Sequence, residues 1–319
     1  MVGTFKIGKE VSPEKAMEMI QTQTVILQFT TGTIGSTAKV KSSAVETDAD
    51  KKLLHVTKDV MNSPALQAVN RHASVVRDHV RNNLALPSML KSGMYQLPIA
   101  LVKEAWEYLT AQKVVRVGLI AGFRGDYEDE ENGVRVRAMA GLRSLYDPSQ
   151  YPPWEDVESS FKWIVRLYTF STPSSLAEIS QGLYDQEKEK AVAAAQEQME
   201  EIMFLLRAKF LDLVTHMHDR LLPGEDGKPK VFRDSLVTRM EEFFDHFKQR
   251  NLFDDFELAS LVSEAKKIMS GADADALRKN DLFRARLADQ FGAMKAQLGG
   301  MVRTKPVRAI DLEDDPELG

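Results

Sequence analysis

The chain has 319 residues, 43% of them hydrophobic and 28% charged, a composition typical of a globular protein with one large or two modest domains. The absence of cysteine excludes disulfides, thiolate nucleophiles and zinc–thiolate sites, and it suits a reducing cytoplasm. The formal net charge of −5 argues against nonspecific adhesion to nucleic acid driven by total charge, but it leaves a local basic face open.

Residues 1–47 are predicted to form a small N-terminal β-hairpin segment. No signal-peptide core is present, and no run approaches the roughly eighteen apolar residues of a membrane span, so we expect a cytoplasmic protein that does not enter the membrane. Thr24–Thr30 is rich in β-branched and aromatic residues, which indicates a strand, and Thr37–Lys41 is its predicted partner. Because two strands alone are marginally stable, the hairpin must pack on a helix, pair with other strands or pair with another copy of the chain.

Residues 48–170 are predicted to be a helical region with a proline-rich connector. Apolar residues at three- and four-residue steps predict helices from Asp48 onward. The run 114–123 has the composition of a strand, but its continuity with the helix that Pro98 opens and the absence of a turn before Gly118 favour a helix. Further short elements are predicted as helices at 134–147 and 155–164 and as a strand at 165–175.

The stretch 185–222 is predicted to be one long helix at the centre of a bundle formed by residues 171–300. Apolar residues recur every seven positions from Val192 to Leu213, and a second apolar row interleaves with them. The second half of this helix is apolar nearly all round, so we expect it to be buried, and we expect the polar first half to project into water. Three closing helices and an acidic flexible tail are predicted at 231–248, 255–269, 274–298 and 301–319. The predicted fold is therefore mainly α, a helical bundle around one long central helix with a small N-terminal β-hairpin.

Two glycine-containing runs are similar to phosphate-binding loops without having their spacing. A P-loop needs a lysine directly after its last glycine and then a helix, whereas Lys39 lies four residues past Gly35 and a strand is predicted to follow. Gly118 and Gly122 are too far apart for a dinucleotide fingerprint. A hairpin turn for the first run and a helix that packs close to its neighbour for the second are the better interpretations.

Three polar residues on the long helix raise the hypothesis of a metal-dependent hydrolase. Asp212, His216 and Asp219 follow at steps of four and three, so they share one side of the helix, where carboxylates and an imidazole can bind a divalent metal that activates water. Ion pairs, either within the helix or to an arginine such as Arg207, explain the same residues. We favour ion pairs and expect no cofactor, because one helix offers too few ligands.

Basic residues on two predicted elements point to nucleic acid. Arg71, Arg77 and Arg81 lie on one helix, where Arg77 and Arg81 share a face, and Lys39 and Lys41 lie on the hairpin. The predicted stacking platforms for unpaired bases are Tyr95, Trp106 and Tyr108. The alternative interpretation is a solvated basic helix face with the aromatic residues in the core.

Four stretches form a spaced signature, namely LRSLYDPSQYPPWEDVESSFKW (142–163), KPKVFRDSLVTRMEEFF (228–244), NLFDDFELASLVSEAKKIM (251–269) and ALRKNDLFRARLADQF (276–291). The signature resembles a family of helical bacteriophage and prophage proteins that has no assigned activity, over about residues 70 to 298. The resemblance implies a virus-encoded intracellular protein, encoded beside DNA replication and recombination functions, and it supplies no catalytic residues. The N-terminal hairpin departs from the family pattern.

The leading functional hypothesis is a non-catalytic, phage-type accessory protein of DNA metabolism that binds single-stranded nucleic acid or a DNA-processing protein. The second hypothesis is a structural or scaffolding protein, a homo-oligomer that associates through the long helix and the open hairpin edge. The third is the metal-dependent hydrolase.

Overall fold

The molecule is mainly helical with two small β-sheets, which confirms the predicted fold class. The computed structural model describes residues 11–41, 46–87, 93–169, 175–224, 234–270 and 280–302, together with residues 44 and 230. Most of the predicted acidic tail, residues 303–319, lies outside the described part of the chain. Among the described helices, none combines the length and the hydropathy of a membrane-spanning segment.

The described chain folds into helices α1 to α10 and strands β1 to β5. In chain order these are α1 (Pro13–Gln23), β1 (Thr24–Thr31), β2 (Thr37–Val40), β3 (Val56–Asp59), α2 (Pro64–His79), β4 (Met94–Pro98), α3 (Ile99–Glu128), α4 (Val134–Leu142), α5 (Trp154–Ser160), β5 (Trp163–Tyr168), α6 (Ser175–Ile179), α7 (Gln181–Leu221), α8 (Asp234–Arg250), α9 (Phe256–Met269) and α10 (Asp281–Val302). A π turn, Val80–Leu84, continues α2.

The predicted pairing of the N-terminal hairpin is wrong, although both of its strands form. β1 is the middle strand of a three-stranded antiparallel sheet with the order β4-β1-β5, and β2 pairs with β3, where Lys39 lies opposite Thr57. Leu27 and Phe29 of β1 are buried. A buried strand needs hydrogen-bond partners along both edges, and here two strands from much later in the chain supply them.

The prediction of a helix that begins at Asp48 is also wrong. Lys51–Leu53 forms a single 3-10 turn, and Val56–Asp59 forms β3. Half-buried and exposed side chains alternate along β3, which is the two-residue period of a strand with one covered face. Four residues are too few for that period to stand out from the helical pattern of the residues that follow.

α3 is one continuous helix, so the run 114–123 is helical, as favoured from the sequence. α2 and α3 pack against each other as antiparallel helices, since Val69 lies beside Arg116 and His79 beside Tyr108. α2 begins at Ser63, whose Oγ accepts a hydrogen bond from the backbone N–H of Leu66 at 3.2 Å. Pro64 at the first helical position needs no such partner.

α7 is the long central helix that the sequence predicts. None of its described side chains before Ala195 is buried, whereas buried residues recur at helical intervals from Ala195 to Leu221. The middle of α7 packs against Ala16 and Ile20 of α1, and its second half packs against α8, α9 and α10. The expectation of an exposed first half and a buried second half is therefore confirmed.

α10 packs closely along α7. Gly292 allows this approach, because a Cβ atom there would lie 3.1 Å from Nε2 of His218 on α7. The buried Arg284 of α10 donates a hydrogen bond to the carbonyl oxygen of Arg220 at 3.0 Å, near the end of α7. α10 continues to Val302, past the predicted end of this helix.

Two cations connect the end of α2 to the helical bundle. Arg250, the last residue of α8, is 1% exposed, and its Nε and Nη1 donate to the carbonyl oxygens of Ala85 and Asn82 at 3.0 and 2.8 Å. Lys209 of α7 donates to the same oxygen of Asn82. The last carbonyls of a helix lack intrahelical partners, so the N–H groups of these two side chains satisfy them.

Replacing Arg250 should destabilise the protein strongly. Arg250→Met retains an unbranched aliphatic stem at the end of α8 but leaves the buried carbonyl of Ala85 without its donor. We therefore expect a loss of about 2 to 3 kcal/mol in the free energy of unfolding. Urea denaturation would measure it. The matched control is Lys248→Met, an exposed position on the same helix where a change within about 0.5 kcal/mol is expected. Equal effects of the two substitutions would contradict this role of Arg250.

Lys209 should make stability depend on pH above neutrality. Burial, together with the positive charge of Arg250, lowers the pKa of Lys209 from 10.5 to about 7. Between these values the unfolded chain holds a proton that the folded chain has released, so the contribution of Lys209 to the free energy of unfolding rises with pH. The stability of the wild type relative to Lys209→Met should therefore increase between pH 7 and about pH 9.5 in urea denaturation. A difference that stays constant with pH would rule out the lowered pKa.

Candidate functional site

Arg77 lies where the end of β1 meets α2. Val76 belongs to the buried stripe of α2, and Arg77 follows it at the edge of that stripe, so its side chain is half-buried. Its Nη1 donates to Oγ1 of Thr31 at 2.7 Å, and its Nη2 donates to Oγ of Ser74 at 3.1 Å. These two hydroxyls hold the guanidinium group against the end of β1.

Arg116 of α3 carries a second guanidinium group, which lies against the loop that follows β1 (residues 32–36), and it is only 2% exposed. Its Nη2 donates to the carbonyl oxygen of Gly32 at 2.7 Å and its Nη1 to that of Val69 at 3.2 Å. Its guanidinium carbon lies 5.9 Å from the ring centre of Trp163 and 6.0 Å from that of Phe161. The buried Nε has no hydrogen-bond partner among the described residues.

The charges of Arg77 and Arg116 interact unfavourably. Burial, and then the positive charge of Arg77, lower the pKa of Arg116 below its usual range. In the described part of the chain neither guanidinium group pairs with a carboxylate, whereas Arg124 and Arg137 do. Positive charges held together in this way favour a bound anion, and phosphate and carboxylate groups match the donor geometry of arginine.

The loop after β1 is held from three sides. Gly32 is needed for the close packing, because a Cβ atom there would lie 2.3 Å from the carbonyl oxygen of Ser160. Its backbone N–H donates to the carbonyl oxygen of Lys162 at 2.9 Å, and Oγ1 of Thr33 lies 2.8 Å from Oδ1 of Asn70 on α2. This loop joins strands of two different sheets, so the hairpin turn predicted for its glycines does not form, but the loop fixes the carbonyl oxygen that accepts from Arg116.

The other basic residues predicted from sequence have different surroundings. Arg71 is exposed on α2, and Lys39 and Lys41 are exposed on β2 and directly after it. Arg81 lies in the π turn and forms an ion pair with Asp78 at 3.3 Å. Of the two arginines predicted to share a helix face, Arg77 therefore belongs to the candidate site and Arg81 is neutralised by a neighbour.

The prediction that Tyr95 stacks on unpaired bases is wrong. Tyr95 is 6% exposed in the core of the sheet, opposite Leu27, so its ring cannot stack on a base. Tyr108 is half-buried with its ring centre 4.2 Å from that of His79. Trp106 remains 50% exposed on α3.

The metal site predicted at Asp212, His216 and Asp219 is not supported. Asp212 and His216 are exposed, and Oδ1 of Asp219 lies 3.3 Å from both Nδ1 of His218 and Nζ of Lys295. No three histidine, aspartate or glutamate side chains within the described ranges are grouped so that they could hold a metal ion. The favoured interpretation, ion pairs, describes Asp219.

A pocket of about 340 Å³ opens between β3 and α4, with Lys58 and Arg137 in its lining. Lys58 donates to the carbonyl oxygen of Leu145, and Arg137 forms a two-bond ion pair with Asp126 at 2.8 and 2.9 Å. Arg137 is therefore neutralised by a carboxylate, and Lys58 is the one cation of this lining without a carboxylate partner among the described residues. Because the site of Arg77 and Arg116 holds two such cations, the pocket is a weaker candidate.

Arg77 is predicted from the sequence as a candidate site residue, whereas Arg116 and Trp163 are not. A signal for Arg116 existed, because it is the single charged residue between Val114 and Phe123 in an otherwise apolar run. A charged residue inside such a run must either interrupt the buried stripe or be held by internal partners. Trp163 carried no comparable signal, since its place beside Arg116 depends on the pairing of β5 with β1.

Comparison of the chain with protein-family models, with curated proteins and with solved structures gives no match. The candidate site is thus defined by its geometry.

Proposed function

We propose that the protein is a non-catalytic, phage-type accessory protein of DNA metabolism that binds single-stranded nucleic acid, with Arg77 contacting a backbone phosphate. The observation that carries the proposal is the pair of neighbouring guanidinium groups, Arg77 and Arg116, without a carboxylate partner among the described residues. The resemblance to a phage family that is encoded beside replication functions supports the same role.

The two arginines have different parts in the proposal. Arg77 is half-buried, so a phosphate oxygen can reach its guanidinium group and the hydroxyls of Thr31 and Ser74 beside it. Arg116 is covered by protein and acts through its charge, which is screened less there than it would be in water. The phosphate would relieve the repulsion between the two cations.

Exposed basic residues extend from this site along the surface. Arg71 follows Asn70, which lies beside Thr33 in the loop after β1. The same loop leads into β2, which carries Lys39. A flexible single strand can follow such separated charges, which contact phosphates rather than base edges. With a net charge of −5 the rest of the surface adds no general attraction, so we expect binding to depend on salt through these few contacts.

Replacing Arg77 should weaken binding to single-stranded DNA. In a fluorescence anisotropy titration with a labelled single-stranded oligonucleotide, Arg77→Ala should raise Kd about tenfold, which corresponds to about 1.4 kcal/mol. Loss of one phosphate contact should also reduce the slope of log Kd against log salt by about 0.7.

The matched control is Arg81→Ala, which removes the same charge from the next turn of the chain but from a side chain already paired with Asp78. We expect it to change Kd less than about twofold. Absence of binding at micromolar protein in both low and moderate salt would refute the proposed function. An equal increase in Kd for Arg77→Ala and Arg81→Ala would show that Arg77 does not contact the nucleic acid.

A further inference from the structure

The outer face of α3 carries a continuous exposed seam. The seam consists of side chains that follow alternating steps of four and three residues, and each of them is exposed. Its members are Lys103, Glu107, Thr110, Val114, Val117, Ala121, Arg124 and Glu128. The buried residues of α3, including Leu109 and Phe123, lie on the opposite side of the helix.

The middle of this seam is apolar although it faces water. Val114 is 71% exposed and Val117 is 60% exposed. Gly118 and Gly125 lie next to the seam, and a Cβ atom at either position would meet no other atom within 4 Å. Exposed apolar residues at four- and three-residue spacing, flanked by small residues, are typical of a helix that packs closely against a second helix.

The seam is complementary to itself when a second copy is placed antiparallel. A two-fold axis between Val115 and Arg116 makes residues equally distant from it face each other. The facing pairs are then Val114 with Val117, Thr110 with Ala121, Glu107 with Arg124 and Lys103 with Glu128 of the second copy. One register thus places apolar residues in the centre and opposite charges in both outer layers at each end.

Parallel pairing in register would give the opposite result, since each residue would face its own copy and Lys103, Glu107, Arg124 and Glu128 would each meet a like charge. Within one chain, Lys103 pairs with Glu107 at 3.8 Å and Arg124 with Glu128 at 2.8 Å. In the antiparallel arrangement these two pairs combine at each end into a network of four charges. The charge order therefore selects both the partner and the direction.

We propose that two copies of this chain associate through antiparallel pairing of their α3 helices, in the register that places Val114 opposite Val117. We assign a second copy of the chain as the partner because a two-fold interface requires a patch that is complementary to itself, and the charge order of this seam meets that requirement. This interface is separate from the long helix and the hairpin edge through which the sequence predicts self-association.

The central layer is tested by Val114→Asp in the full-length chain. Because Val114 is mostly exposed in one chain, the substitution should leave the helical content unchanged by circular dichroism. Sedimentation equilibrium should give a dimer for the wild type at micromolar concentration and a monomer for the variant. A wild type that stays monomeric to about 100 µM, or a variant that still forms the dimer, would overturn the proposal.

The register is tested by exchanging charges between chains. Glu107→Arg alone places two guanidinium groups opposite each other, because the new side chain faces Arg124 of the second copy. Arg124→Glu alone likewise makes two carboxylates face each other, so each variant should dimerise at least about tenfold more weakly than the wild type. Mixed together, the two variants regain opposite charges in both of these layers, and the mixed dimer should form with an affinity within about threefold of the wild type.

The mixture also provides the internal control. Each substitution breaks an ion pair within its own helix, with Lys103 or with Glu128, and those losses persist in the mixture. Recovery on mixing can therefore come only from contacts between chains. If the mixed dimer is as weak as the two separate ones, the proposed register is wrong.

Discussion

The contact on which the arrangement of the molecule most depends is the one between the end of α2 and the two cations of the bundle. Arg250 is buried with its donors on the carbonyl oxygens of Asn82 and Ala85, and Lys209 reaches the same turn from the central helix. These bonds fix the end of α2 against α7 and α8. Because α2 also carries Arg77 and packs along α3, the bonds that satisfy one helix end indirectly position the candidate site.

The candidate site and the proposed dimer seam use opposite faces of α3. Arg116 points inward to the loop after β1, whereas Val114 and Val117 are exposed on the outer face. A dimer formed through the seam would leave both sites uncovered and would carry two of them. Two linked sites bind one long single strand more tightly than either site alone, provided that the strand can span the distance between them. The two proposals are tested separately, since Arg77 does not belong to the seam.

Helices with long, periodic sequences were predictable, and short strands with distant partners were not. α2, α3 and α7 follow from apolar spacing, from the Ser63-Pro64 start and from the absence of prolines, all of which act within a few residues. β1 was recognised by its composition, but its partners β4 and β5 lie about 65 and 135 residues later, where local patterns say nothing about pairing. The sequence predicts helix where β3 forms for a related reason, because four residues contain too little periodicity.

The sequence by itself determined a mainly helical protein, the long helix that is buried only in its second half, and the place of Arg77 on a helix. Only the tertiary structure decided that Arg77 and Arg116 bond to the adjacent residues Thr31 and Gly32, that Tyr95 is buried and that Asp219 pairs with Lys295. The physical reason is the range of the interactions. Helix formation and side-chain spacing depend on neighbours within one or two turns, whereas burial and the partner of a charge depend on which distant elements pack together.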